Sequence, residues 1–574
     1  MWLAAGGYLP FVPLPVLGGG RRPLPEEPAL IRPTAADLQR TAEQAFGWNA
    51  LRPGQLEAMQ SVVAGNDTVV VMPTGSGKSA VYQVPALLLD GPTVVVSPLI
   101  SLQRDQVAGL LARGGRAGGA VQANSTRSDQ QMEDAFAQLR SGEAEFLFLA
   151  PEQLSKPDVL DEVAAAKPSL FVVDEAHCIS SWGHDFRPDY LRLHSAVERL
   201  GRPTVLALTA TASPPVRAEI VERLRLCDPV QVVRGFDRPN LHLEVQAFRH
   251  EDRKREAVVL RAMGEAKPGI VYTATRRAAE VYARALSEYG IDAAAYHGGL
   301  RAADREDVQG RFMAGGVDVV VATTAFGMGI DKADVRFVLH ADIPDSLDSW
   351  YQEVGRAGRD GEPASAVLFY RPEDLGLRKF FASGAPDEMA LRRVATLVQH
   401  APGPVGPSEL AAEARLSSTR LAGVVNLLEQ AGAVEVHADG VIELADDAPA
   451  PQAAAEAAVE VAESHRRIEQ SRVEMVRGFA ETTGCRRQFV LGYFGEALDE
   501  PCGRCDTCAA GTAADRPRGD GSPYGLQSRV RHSEWGEGVV MRYEGDRIVV
   551  LFEEVGYRTL LLRAVADRGL LDAV

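Results

Sequence analysis

The sequence predicts an α/β chain: two parallel-sheet lobes in tandem, then a helical region and a small β-barrel. Three patterns carry that expectation. Apolar, β-branched runs alternate with helical stretches in two successive series, as parallel sheets covered on both faces require. Four of the six cysteines cluster after residue 480, around a helical stretch. The last segment, 528–574, consists of short strands punctuated by glycines. With 574 residues, 46% of them apolar and 24% charged, the chain is long enough for several cores.

Residues 1–34 are apolar in part, but prolines and glycines interrupt them and no basic residue precedes the apolar segment. They read as a flexible leader, or as the result of a start codon placed too far upstream, and not as a secretion signal. Residues 35–236 form the first lobe, through the strands in "TVVVMP", "TVVVSPL", "FLFLAP", "LFVVDE" and "TVLALTATA". Residues 237–378 form the second, through "GIVYTAT", "AAAYHGGL", "VDVVVATTAFGMGI", "VRFVLHADIP" and "SAVLFY", with "GFDRPNL" as the junction. Helix, helix, helix and hairpin follow over 385–447. A linker and the cysteine region occupy 448–512, a second linker 513–527, and the β domain 528–574. No sustained apolar run approaches the length of a membrane span, so no membrane partner is expected.

The chemistry concentrates in three stretches. In "VVVMPTGSGKSAVYQ" a strand feeds a glycine turn that opens a helix. Backbone N–H groups of Thr74, Gly75, Ser76, Gly77 and Lys78 can surround phosphates there, Lys78 can reach the terminal ones, and the Ser79 hydroxyl can hold Mg2+. The usual pattern places glycine six residues before the lysine, and this chain has Met72, so the loop taken alone could be a chance turn. A second stretch resolves that ambiguity. The strand "SLFVVDEAH" delivers Asp174 to bind a metal and Glu175 to orient and deprotonate water. In "SWYQEVGRAGRDG" of the second lobe, Gln352, Arg356 and Arg359 lie after a strand. Spacing of three puts the arginines on one helical face, able to meet charge developing on a phosphoryl group. The two lobes would thus share one ATP site.

A net charge of −17 excludes a protein coated in positive charge, so nucleic acid would be held by local basic patches and bind with steep salt dependence. Cys485, Cys502, Cys505 and Cys508 offer four thiolates with tetrahedral zinc spacing, and an iron–sulfur cluster is the rival occupant. Two isolated cysteines beside one metal site fit a reducing, cytoplasmic compartment.

The motifs "FGWNALRPGQ", "MPTGSGKS", "VVSPLISLQRDQV", "DEAHCISSWGHDFRPDY", "LTATA", "YHGGLRAADR", "VATTAFGMGIDKADVRFVLH" and "YQEVGRAGRDG" together resemble superfamily 2 helicases, and within them RecQ-type DNA helicases. The resemblance implies RecA-like lobes, ATP-driven 3′ to 5′ translocation, unwinding, and action on single-stranded and branched DNA at the nucleoid in repair or recombination. It further implies that Trp48 and Arg52 stack on adenine and Gln55 bonds its edge. Trp182, Phe186 and Arg187 would sense single-stranded DNA by stacking and charge. In the RecQ context the four cysteines imply Zn2+. A monomer is expected.

The chain departs from the usual RecQ layout in two places. The segment 385–447 looks like a winged helix inserted before the zinc region, with Arg420 the lone cation of its third helix. The tail resembles the Tudor-like domain of UvrD/PcrA helicases and is either a protein-docking module freed by its linker or a domain packed on the zinc region. An RNA helicase of DEAD or DEAH type, and an ATP-switched binder of branched DNA that does not unwind, remain as alternatives.

Overall fold

The computed structural model describes residues 32–574 except 116–117, 125–126, 181–186, 328–329, 377–385, 438–439, 497, 514–522, 526–527 and 553–554. Trp182 and Phe186 lie outside the described residues.

The first lobe is built on seven strands, β1 (Thr68–Val71), β2 (Thr93–Val96), β3 (Ala120–Ala123), β4 (Phe146–Leu149), β5 (Leu170–Val173), β6 (Thr204–Thr209) and β7 (Val230–Val233). They lie in the order β3-β4-β2-β5-β6-β1-β7, and every pair is parallel. β1, β2, β4 and β5 are buried at every residue, which is why they read as continuous apolar runs. Only β6 separates β1 from β5, so their C-terminal ends stand two strand spacings, or about 10 Å, apart. That distance places the phosphate loop opposite the Asp174–Glu175 pair.

The second lobe has six strands, β8 (Leu241–Ala247), β9 (Gly269–Tyr272), β10 (Ala293–Tyr296), β11 (Val319–Ala322), β12 (Phe337–His340) and β13 (Ala364–Tyr370). They form a parallel sheet in the order β10-β11-β9-β12-β13-β8.

Helices Glu388–His400, Pro407–Ala414 and Ser418–Gln430 follow, with a hairpin of β14 (Val434–Val436) and β15 (Ile442–Leu444) that Val405 extends by a bridge to Ile442. The alanine-rich stretch expected as a linker from 448 is instead the start of a 31-residue helix, Pro451–Glu481. Alanine is the best helix former, and Pro451 sits in the first turn, where its missing N–H costs nothing. Ala454, Ala455 and Ala458 pack into the core of the three-helix unit, and the far end of the same helix joins the cysteine region.

The tail is a five-stranded antiparallel sheet of β16 (Arg529–His532), β17 (Gly536–Glu544), β18 (Arg547–Phe552), β19 (Gly556–Leu561) and β20 (Leu571–Ala573), in the order β19-β18-β17-β16-β20. Alternation along the strands gives it two apolar faces. One, with Val540, Ile548, Val550 and Phe552, forms its own core, while Met541, Val549, Leu551 and Tyr557 join the main core. The Arg542 guanidinium lies 3.7 Å from the centre of the Phe489 ring. The linker therefore does not free the tail from the motor, contrary to the docking-module expectation. Among the described residues, no helix is long and apolar enough to cross a membrane.

Candidate active site

The phosphate loop turns on Gly75 and Gly77, both at positive φ (79° and 77°), a conformation that side chains disfavour. Close neighbours fix the loop further. A Cβ on Gly77 would lie 2.8 Å from Gln55 Nε2, and one on Gly75 would lie 3.3 Å from Arg359 Cγ and Cδ. Met72 is not strained by the missing glycine: it is buried and its side chain turns into the core toward Gly54, away from the phosphate side. The Lys78 ammonium donates to the carbonyls of Met72 (3.1 Å) and Pro73 (3.4 Å). Ser76 Oγ is buried without a hydrogen-bond partner among the described residues, a donor that suits a phosphate oxygen. Thr74 Oγ1 lies against Gly355 of the second lobe, and Ser79 opens the helix Ala80–Ala86.

At the end of β5, burial pushes the Asp174 carboxyl up to about 7, the Glu175 charge adds to that, and Lys78 opposes it. Desolvation in turn lowers the pKa of Lys78, while Glu175 and Asp174 raise it. Glu175 stands at a φ of 50°, and its N–H donates to Asp174 Oδ1 at 3.0 Å. Its Oε2 is buried without a hydrogen-bond partner among the described residues, 3.4 Å from His177 Nδ1. That nitrogen is engaged by Thr209 Oγ1 at 2.9 Å. The positive φ aims this acceptor to the same side as the Asp174 carboxyl, an arrangement in which it could take a proton.

The second lobe supplies its arginines differently from the spacing argument. Gln352 lies on the helix Leu347–Val354, but Arg356 and Arg359 lie on the turns that follow it and do not share a helical face. Two glycines in this stretch, Gly355 and Gly358, favour turns over helix. Arg359 packs on the phosphate loop and donates to Asp331 Oδ1 at 2.5 Å. Arg356 is buried inside the second lobe, next to Tyr272 and Gly327, with Nε unpartnered among the described residues.

Gln55 Nε2 donates to the carbonyls of Ser76 (3.1 Å) and Gly77 (2.9 Å), and Arg52 donates to that of Gly75. Trp48 stacks on Phe46 at 4.6 Å, and Arg113 covers both rings. Arg187 donates to the Pro98 carbonyl at 3.0 Å. Tyr190 donates to the Asp174 carbonyl at 3.0 Å, tying the turn Pro188–Arg192 to the residue after β5.

Motif reading missed the junction's own role. Arg238 donates to the carbonyls of Ala357 (3.0 Å), Gly358 (2.9 Å) and Gly355 (3.4 Å). Asn240 donates to those of Gly358 (2.8 Å) and Glu362 (2.9 Å). Both side chains hold the backbone that presents Arg359. The only signal in the sequence was a polar Arg-Pro-Asn in a segment that otherwise reads as connection. Arg238→Ala is expected to lower ATP turnover by on the order of 10-fold, with ATP binding largely retained, because misplacing a positioned group is costly. Steady-state kinetics check this, and an unchanged kcat contradicts it.

The sulfurs of Cys485, Cys502, Cys505 and Cys508 all lie within 4.8 Å of one another. Cys502 and Cys508 are 3.9 Å apart and Cys485 and Cys505 4.0 Å, close to the edge of about 3.8 Å that Zn–S bonds of about 2.3 Å give a tetrahedron. Thiolates of an iron–sulfur cluster bind different irons and stand further apart, so the set fits one zinc. Backbone N–H groups of Cys502, Arg504 and Cys505 point at these sulfurs, as thiolates require.

Family models for the DEAD/DEAH box helicase, the helicase conserved C-terminal domain and the RecQ zinc-binding domain match residues 52–219, 254–361 and 446–509. The chain is 41% identical over 343 residues to the probable ATP-dependent DNA helicase RecS of Bacillus subtilis, covering 60% of this chain and 68% of that protein. It is 36% identical over 477 residues to the ATP-dependent DNA helicase RecQ of Haemophilus influenzae, covering 83% of this chain and 64% of that one. The chain thus spans about two thirds of the length of these relatives. The DUF1998 helicase MrfA, solved bound to DNA, shares the fold with a TM-score of 0.51 and 17% identity over 75% of this chain and 64% of its own.

Proposed function

Because the chain belongs to the RecQ family of ATP-dependent DNA helicases, we propose that it hydrolyses ATP between its lobes to move 3′ to 5′ along single-stranded DNA. In doing so it separates duplexes in repair or recombination. The observation that carries this reading is the packing of Arg359, from the second lobe, on Gly75 of the phosphate loop. Opening or closing the lobes must move a cation relative to the nucleotide's phosphates.

In this reading Trp48, Arg52 and Gln55 border the adenine, and Lys78 and Ser76 meet the phosphates. Ser79 and Asp174 would hold Mg2+, which neutralises phosphate charge when bound. Glu175 accepts the proton of the attacking water at Oε2, while Arg359, supported by Arg356 and Gln352, meets the charge that develops on the transferring phosphoryl group. Trp182, Phe186 and Arg187 contact unpaired bases, since stacking on an aromatic ring is worth about 1–3 kcal/mol per base. Tyr190 carries that contact to Asp174. The segment 385–447 serves as a winged helix that braces the motor more than it grips a duplex, as Arg420 is already paired with Asp387.

ATP hydrolysis measured with single-stranded DNA and with RNA tests the substrate class. Stimulation by DNA and not by RNA is expected, and a preference for RNA would overturn it. Trp182→Ala should reduce DNA stimulation by about 10-fold while leaving the DNA-free rate within about twofold, in line with the loss of one stacking contact. Equal loss of both rates would make Trp182 a packing residue.

A further inference from the structure

The helix Leu347–Val354 carries Gln352 and leads into the turns bearing Arg356 and Arg359, so its seat decides where those groups stand. One hold comes from its own lobe: Glu353, near the C-terminal end, meets His340 Nε2 of β12 at 2.7 Å. At the other end Asp348 lies in the first turn and is only 2% exposed. Among the described residues, both side-chain partners of this carboxylate come from outside the lobe. The Tyr493 hydroxyl donates to Oδ2, and Arg472 Nη2 stands 3.7 Å from the same oxygen.

Tyr493 ends the helix Arg486–Tyr493 of the cysteine region, and Arg472 belongs to the long helix Pro451–Glu481. Both are buried. Burial, and after it the Asp348 charge, push the Tyr493 phenol well above the ordinary tyrosine range, which keeps it a donor. Its ring is held by Phe494 at 5.0 Å and by Tyr557 of the tail at 5.5 Å. Further along the same helix the grip has the same source: Trp350 lies 4.6 Å from Phe479 of the long helix, and Tyr351 4.8 Å from Phe494. A buried carboxylate is costly unless it is paired and hydrogen-bonded, and apolar residues of similar volume would serve stability as well. A directional bond adds a fixed position for the carboxylate, and with it for the first turn of the helix.

We propose that Asp348 is a positioning residue for ATP hydrolysis: bonded by Tyr493 and faced by Arg472, it seats the helix Leu347–Val354 so that Arg359 meets the phosphate loop. The cysteine region and the long helix then serve the reaction as well as the fold. This rests on the proposed hydrolysis of ATP between the lobes. Because the bond acts on the arginine-bearing segment and not on the first lobe's own contacts to the nucleotide, its loss lowers kcat and spares KM for ATP.

The test is DNA-stimulated ATP hydrolysis by the full chain, with Tyr493→Phe, Asp348→Asn and the double variant. Tyr493→Phe removes one hydroxyl and keeps the ring, so the unfolding midpoint should fall by no more than about 5 °C. It is expected to lose about 5-fold in kcat with KM for ATP within about twofold, the size typical of coupling residues outside a site. Asp348→Asn also strips Arg472 of the charge it faces and should lose at least as much. The double variant should lose no more than the worse single one, because both changes break the same bond. If the asparagine variant does not fold, Tyr493→Phe alone decides. Unchanged kcat with a lowered midpoint would make the cluster a packing feature and overturn the proposal. A KM raised as far as kcat is lowered, or losses that multiply in the double variant, would overturn it too. A wild-type protein without DNA-stimulated hydrolysis would overturn the functional reading itself, and the proposal with it.

Discussion

Lys78→Ala is expected to lower ATP turnover by at least on the order of 10²–10³-fold, the cost of removing one preorganised electrostatic contact to a transferring group. The surroundings of Lys78 argue for the upper end. Its ammonium lies between the loop carbonyls of Met72 and Pro73 and is attracted by both Glu175 and Asp174. Alanine removes the cation that holds the Asp174 carboxyl down against burial and the charge of Glu175. That carboxyl then takes up a proton more readily and would hold the proposed Mg2+ less well. DNA affinity should change little, because the lysine faces phosphates of the nucleotide and not the strand. Phosphate release and DNA binding, measured on the same preparation, check both halves. Near-normal turnover would remove the loop from the reaction.

Cys505→Ser is the second large effect, and it should reach beyond the metal. The zinc site contributes directly to folding, with structural zinc worth about 10–16 kcal/mol in small domains, so losing one of four ligands should cost several kcal/mol locally. The helix Arg486–Tyr493 and the residues just after it are also the mould of the lobe junction. Phe494 stacks on Phe236 at 4.5 Å, Glu496 accepts from the Phe236 N–H at 3.0 Å, and Arg487 donates to the carbonyls of Arg238 (3.1 Å) and Leu241 (2.8 Å). Arg238 is the side chain that supports the Arg359 turns. The variant should therefore bind well under one zinc per chain, melt earlier and hydrolyse ATP more slowly. Metal analysis and thermal unfolding check this. Full zinc content with an unchanged midpoint would contradict it, and a brown, iron-containing wild-type protein would replace zinc with a cluster.

What could be read from the sequence follows physical necessity. A phosphate loop needs glycines at positive φ and a lysine at fixed spacing, and a metal-dependent hydrolase needs carboxylates at a strand end, so Gly75, Gly77, Lys78, Asp174 and Glu175 were all legible. Four cysteines whose sulfurs converge within 4.8 Å of one another were legible for the same reason. Contacts that rest on ordinary residue types were not. Tyr493, Asp348 and Tyr557 come from three distant segments, and nothing in their spacing shows that Tyr493 bonds Asp348 and packs its ring by that of Tyr557. Arg238 was hidden in a junction because its role is to bind backbone carbonyls, which any exposed arginine could do. The alanine-rich start of the long helix carried a helix former's composition but also the prolines of a linker, and the core of the preceding unit decided between them. At Arg356 and Arg359 a helical period was assumed where two glycines favoured turns.

The account's central claim is that ATP hydrolysis between the lobes drives separation of DNA strands. The most direct test is strand displacement from labelled duplexes carrying a 3′ overhang, a 5′ overhang or a fork, beside matched RNA duplexes, with and without ATP. ATP-dependent displacement from the 3′-overhang and forked DNA, absent with Lys78→Ala, is the expected result. DNA-stimulated hydrolysis with no strand displaced from any substrate would contradict it and leave an ATP-switched DNA binder in its place.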